Sequence, residues 1–164
     1  MLKTALRNIP DCIQCHHVTM TGELVDIFTS RDEGVKEIMR VVLEQVASKQ
    51  PVKFFSRDEL VSHEHALLNT DSIASANWIA SGRCVAKKND KVVFVDMGST
   101  TTDVLSINDG VLNLNGLTDF ERLRSGELVY TGVVRTCINT ICQKIPYKGD
   151  LIPLMAECFS MSAD

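Results

Sequence analysis

The clearest pattern in the chain is a helical stripe. Val35, Ile38, Met39, Val42, Leu43 and Val46 recur at three- and four-residue intervals, which predicts an amphipathic helix over Ser30 to Ser48. Ser30 followed by Glu33 is a capping-box pattern at its start, and Gln50-Pro51 ends it. Short apolar runs flank it: Val18-Thr19-Met20-Thr21 before and Val52-Lys53-Phe54-Phe55 after. Strand, helix and strand in succession predict a parallel crossover unit. Before it, Met1 to Asn8 reads as a helical turn or two stopped by Pro10. After it, Ser56 to Asp71 is polar and mixed and reads as surface. Asp71 or Ser72 can cap a second helix from Ile73 to about Ala86. Its small residues, Ala74, Ala76, Ala80 and Gly82, permit close approach to another element; Trp78 reads as core, and Asn77 as a residue able to face a ligand.

Past a charged turn at Lys87 to Lys91 the period changes to that of strands. Val92-Val93-Phe94-Val95 leads into Asp96-Met97-Gly98-Ser99-Thr100-Thr101-Thr102-Asp103, and Val104-Leu105-Ser106-Ile107 leads out. Asn108-Asp109-Gly110 is a hairpin turn signal, so Val111 to Leu114 is a third strand of an antiparallel meander. Leu117 to Gly132, rich in polar residues and glycine, reads as an extended loop, either ligand-approaching or a solvated connection. Cys137 to Cys142 is a short apolar stretch ended by Pro146 and Gly149. Crossover and meander together predict an α/β fold with mixed sheets and flanking helices.

Composition narrows the partners. The 164 residues are 45% hydrophobic, enough for a core, and the formal charge of −4 has both signs interspersed. No basic patch stands out and aromatics are only 5%, which argues against nucleic acid. No apolar run approaches the ~20 residues of a membrane span, and Met1 to Pro10 lacks a signal-peptide core; a cytoplasmic location with free cysteines is the expectation. Cys12-Ile13-Gln14-Cys15-His16 has the spacing of a haem or metal site. No second pair completes a zinc site, so packing is the simpler reading.

The chemistry gathers at the meander's first turn. Anion cradles need inward backbone amides, which glycine and small residues allow, and Gly98, Ser99, Thr100 and Thr101 meet that need. Asp96, at the end of the incoming strand, suits Mg²⁺, and Asp103 faces it from the outgoing strand. The loop lacks the Gly-Lys-Ser/Thr end of a Walker A loop and runs into a strand. The alternative is a hairpin whose hydroxyls satisfy their own turn. Glu23 and Asp26 lie near the end of an early strand, where open α/β sheets place ligand residues, or form an acidic loop before the helix.

The stretch Asp96 to Asp103 resembles the second phosphate loop of the superfamily of actin, sugar kinases and heat-shock chaperone ATPases. More narrowly, it is similar to the hydantoinase/oxoprolinase branch, which carries Asp-Met-Gly-Gly-Thr-Ser-Thr-Asp. Val18 to Leu24, Glu33-Gly34-Val35, Ala76-Asn77-Trp78, Thr118 to Leu123 and Gly126 to Gly132 resemble, in this order, the tetrahydromethanopterin-linked C1-transfer pathway proteins, whose archaeal relatives are methanofuran-biosynthesis synthases. Thr136-Cys137 departs from the subfamily's usual Thr-Pro. The resemblance implies a partial actin-like ATPase (ribonuclease H-like) fold truncated at both ends, without the Asp-x-Gly-Gly loop that opens the family's fold. Residues 1–88 are expected to be the later part of a first domain and 89–164 the opening part of a second.

The implied reaction joins an aminomethylfuran diphosphate to an amine or phenol partner with loss of diphosphate. Other readings are an ATP-dependent hydantoinase-type hydrolase, or a non-catalytic split product that needs a complementary chain. The implied catalytic acids are Asp96 and Asp103, with Asp96 on Mg²⁺ and Gly98, Ser99, Thr100 and Thr101 on phosphate. Glu23, Arg122 and Arg135 are further cleft candidates. The ligand would be a phosphorylated small molecule, ATP or a diphosphate substrate.

Overall fold

A computed structural model describes residues 13–46, 50–155, 157 and 162. The expectations for Met1 to Asn8 and for Cys12 lie outside them. The fold is mixed α/β, with several sheets and flanking helices, and the chain divides into two compact units between Ser81 and Gly82.

In the first unit, strand β1 (His16–Val18) pairs in parallel with β2 (Val52–Phe55), His16 opposite Val52 and Val18 opposite Phe54. Helix α1 (Arg31–Gln45) makes the crossover the sequence predicts. Its cap differs by one residue. The Ser30 hydroxyl accepts from the Glu33 amide at 3.1 Å, but the Glu33 carboxylate reaches past Ser30 to the Thr29 amide at 2.8 Å. Val35 and Met39 of the predicted stripe are fully buried with Met20, Phe54, Ala66, Ile73 and Ala74. Burying each large apolar side chain contributes about 1.5–3 kcal/mol. Gly34 brings the helix against the preceding loop: a Cβ there would lie 2.2 Å from the Glu23 carbonyl oxygen.

Ser56 to Asp71 lies at the surface as expected, exposed or half-buried except at Ser56 and Ala66, and it carries regular structure: β3 (Leu60–Val61) pairs antiparallel with β2, and α2 (His63–Leu68) follows, capped by Ser62. One expectation in this unit is corrected. The helix expected from Ile73 to Ala86 is broken. α3 (Thr70–Ile73) and α4 (Asn77–Ala86) are separated by Ser75 in the left-handed region, at φ 48°. Helix propensity is a weak prior; the hydroxyl of Ser75 is hydrogen-bonded to the buried Glu23 carboxylate, which fixes the break.

The second unit contains the predicted meander. β4 (Lys91–Met97), β5 (Thr102–Asn108) and β6 (Val111–Asn113) are antiparallel neighbours, with Asp109 and Gly110 both at positive φ in the second turn. Leu105 and Ile107 are buried, and a Cβ on Gly82 would meet Leu105 and Leu112 side chains at 3.0 Å, so this small residue does permit close approach. The Leu117 to Gly132 loop is corrected. It holds α5 (Asp119–Ser125) and β7 (Leu128–Val129), the latter paired with β5. Thr118 and Glu121 form a reciprocal capping box, and Gly126, at φ 79°, ends the helix. After α6 (Ile138–Ile141) comes an unforeseen hairpin, β8 (Lys144–Tyr147) and β9 (Asp150–Pro153), turned by Lys148 and Gly149 at positive φ.

Candidate functional site

The turn between β4 and β5 closes with the Gly98 amide donating to the Thr101 carbonyl at 2.8 Å. A second segment grips it from one side. The amide of Val133 donates to the Gly98 carbonyl at 3.1 Å, and those of Val134 and Arg135 donate to the Ser99 carbonyl at 3.1 and 2.8 Å. The grip requires Gly132, where a Cβ would sit 2.6 Å from backbone atoms of Ser99 and Thr100. Thr136 braces Gly132, accepting from its amide at 2.7 Å and donating to its carbonyl at 2.9 Å.

This grip orients the turn. In a planar trans peptide the N–H points opposite to the C=O. The carbonyls of Gly98 and Ser99 point at the gripping segment, so the amides of Ser99 and Thr100 point away from it, side by side. Among the described residues no acceptor bonds those two amides. Successive amides aimed one way form an anion-binding concavity. The hydroxyls of Ser99 and Thr100 lie beside it, 3.4 Å apart. Thr102 is committed elsewhere, its hydroxyl donating to the Thr131 carbonyl at 2.6 Å.

Asp96 and Asp103 are directly paired across the hairpin and therefore share a face with Phe94 and Leu105. Two carboxylates at a cross-strand separation of ~5 Å would repel by ~3 kcal/mol at an effective dielectric of ~20. The structure relieves this on one side only. Arg122, 2% exposed, places Nη2 2.5 Å from Asp103 Oδ1 and 3.1 Å from the Glu127 carbonyl. The Asp96 carboxylate has no hydrogen-bond or ion-pair partner among the described residues.

Among the sequence candidates, Asp96, Gly98, Ser99, Thr100, Thr101, Asp103, Arg122 and Arg135 fall in the second unit. Arg122 lies buried behind Asp103, whereas Arg135 is exposed with its amide anchored on the turn. Glu23 belongs to the first unit. It is 1% exposed, hydrogen-bonded by Ser75, with Arg31 3.7 Å away. Gly132 and Thr136 are not among the sequence candidates; Gly132 ends a segment readable as ligand-approaching, but the sequence does not say that it approaches the β4–β5 turn.

Among the described residues no group of three or more His, Cys, Asp or Glu can hold a metal by itself. Cys15 immediately precedes β1 and His16 opens it, both half-buried. A single open carboxylate near a turn with two unbonded amides is a donor set of the kind Mg²⁺ takes, which is commonly held by one or two carboxylates plus substrate phosphates. Among the described residues no helix is long and apolar enough to cross a membrane.

The sequence matches the family model of hydantoinase/oxoprolinase over residues 14–150. It is 35% identical, over 99% of its length, to the (4-{4-[2-(gamma-L-glutamylamino)ethyl]phenoxymethyl}furan-2-yl)methanamine synthase of Methanocaldococcus jannaschii, of which it spans 49%. It is 41% identical to the Methanococcus vannielii synthase of the same name over 49% of this chain and 36% of that one. The chain thus spans about half the length, or less, of these curated relatives.

Proposed function

The chain belongs to the hydantoinase/oxoprolinase family, and from that premise we propose that it carries the diphosphate-binding portion of a synthase for a C1-carrier cofactor. The reaction would form the aryl ether that the relatives' name describes. The phenol oxygen of a γ-glutamylaminoethyl phenol attacks the methylene of an aminomethylfuran diphosphate. The carbon–oxygen bond to diphosphate breaks with its electron pair, and the phenol proton passes to a base. In this reading the amides of Ser99 and Thr100 bind the leaving diphosphate, Thr101 flanks them, and the exposed Arg135 guanidinium adds positive charge. Asp96 would hold Mg²⁺, which when bound offsets charge on the leaving group. The chain would be part of an actin-like fold, residues 1–88 from a first domain and 89–164 from a second.

The observation that carries this reading is the 35% identity along 99% of the chain to a synthase whose product holds that ether. Isothermal calorimetry with inorganic diphosphate and Mg²⁺ tests it. Binding is expected, weakened about 10–100-fold in Asp96→Asn, as for loss of a metal-supporting group. Absence of diphosphate binding by the intact chain would falsify the assignment. A second reading rests on the family match itself: the same cradle would take the phosphates of ATP in a hydantoinase-type hydrolase. ATP-dependent ring opening, without aryl ether formation, would favour it.

A further inference from the structure

The two facing acids are not equivalent, and the difference is built by one buried side chain. Asp96 and Asp103 occupy matched positions on β4 and β5, so the hairpin alone gives neither an advantage. Arg122 breaks that symmetry. It comes from α5, whose start is fixed by the Thr118–Glu121 capping box and whose end is fixed by Gly126. The Glu127 carbonyl holds Nη2 at 3.1 Å while the same nitrogen meets Asp103 at 2.5 Å. Glu127 is itself pinned: its carboxylate accepts from the Asn115 amide at 2.9 Å, the Asn115 side chain at 3.1 Å and the Ser125 hydroxyl at 2.9 Å. Arg122 therefore has little freedom to move to Asp96.

We propose that Arg122 is a positioning residue that assigns the two carboxylates different tasks: by neutralising Asp103 it leaves Asp96 as the acid that takes the divalent cation. This rests on the cradle reading above and deepens it. A bare Asp-Asp pair would bind a cation more tightly, since affinity for hard cations follows the charge of the ligand set. One open carboxylate would make a weaker site, at which Asp96 holds the cation only with help from the bound anion.

Mn²⁺ with inorganic diphosphate, read by electron paramagnetic resonance, tests this without relying on turnover. Asp96→Asn should raise the Mn²⁺ dissociation constant about 10–100-fold; Asp103→Asn, which keeps that ligand but leaves the Arg122 charge uncompensated, should raise it by no more than about tenfold and less than Asp96→Asn does. Arg122→Gln frees the second carboxylate and should tighten Mn²⁺ binding about tenfold without diphosphate, and Arg122→Lys should restore wild-type affinity. A purely structural role for Arg122 predicts weaker binding instead. Equal losses in Asp96→Asn and Asp103→Asn, or weakened binding in a folded Arg122→Gln, would overturn the division of tasks while leaving the cradle reading standing. If Arg122→Gln does not fold, the two aspartate variants decide alone. No Mn²⁺ binding by the wild-type chain would overturn both.

Discussion

At the scale of single residues, the site depends on a hydrogen atom. Gly132 lies so close to the turn that one methyl group would overlap the backbone of Ser99 and Thr100 at 2.6 Å. Backbone cannot swing aside as a flexible side chain can, so Gly132→Ala must push the gripping segment off the turn. Overpacking of this kind costs about 1–3 kcal/mol, and the orientation of the two amides should be lost with it. Chemical denaturation should register the stability loss and calorimetry the loss of diphosphate binding. Gly126 supplies the contrast: it has open space around it but sits at φ 79°. There alanine pays only the left-handed penalty of about 1–2 kcal/mol, and diphosphate binding should persist. Unchanged diphosphate affinity in Gly132→Ala would show that the grip does not orient the cradle.

At the scale of elements, helix α5 carries a pH signature. The Leu117 amide, then the Thr118 amide and hydroxyl, hold the Glu121 carboxyl below its usual value of 4.5. A depressed folded value means that this stabilisation is fully present above the unfolded value. It is lost as pH falls below 4.5 through the folded one. The wild-type melting temperature should therefore fall more steeply than that of Glu121→Gln between pH 5 and lower values, and the curves should run parallel above it. Parallel curves throughout would mean that the cap does not stabilise the charged form. The elements also show what the sequence made legible. α1 and the β4–β5–β6 meander were readable because period and turn chemistry agree locally: Val35 and Met39 fall on one stripe, and Asn108-Asp109-Gly110 turns as written. α5 was hidden because its seven residues are too short for an apolar stripe, although Thr118-Asp119-Phe120-Glu121 spelled its cap. The break at Ser75 could not be read at all, since its cause is Glu23, far away in sequence. The same holds at the site. The hairpin and the place of Asp96 near the end of its first strand were legible, whereas the Arg122–Asp103 pairing and the Gly132 grip depend on segments that meet only in the folded unit.

At the scale of the molecule, the outer face of β4 is the feature that bears on behaviour in solution. Val93, Val95 and Met97 point away from the Phe94 face, are 65%, 51% and 56% exposed, and lie on an edge strand of the sheet among the described residues. An apolar row on an open edge favours association. The isolated chain should self-associate with rising concentration in sedimentation velocity. Val93→Thr with Val95→Thr, which keeps β-branched shape, should shift it toward monomer with unchanged circular dichroism. Association that persists unaltered would place the contact elsewhere. The grip on the turn has a further consequence, in time rather than in space. The residues that hold Gly98 and Ser99 lie beyond β6, α5 and β7. A hairpin such as β4–β5 forms in ~1–10 μs, whereas synthesis proceeds at ~5–20 residues per second. On the ribosome the hairpin would thus exist for seconds before the segment that aims its amides has been made, and a chain released in that interval would have the turn without the cradle.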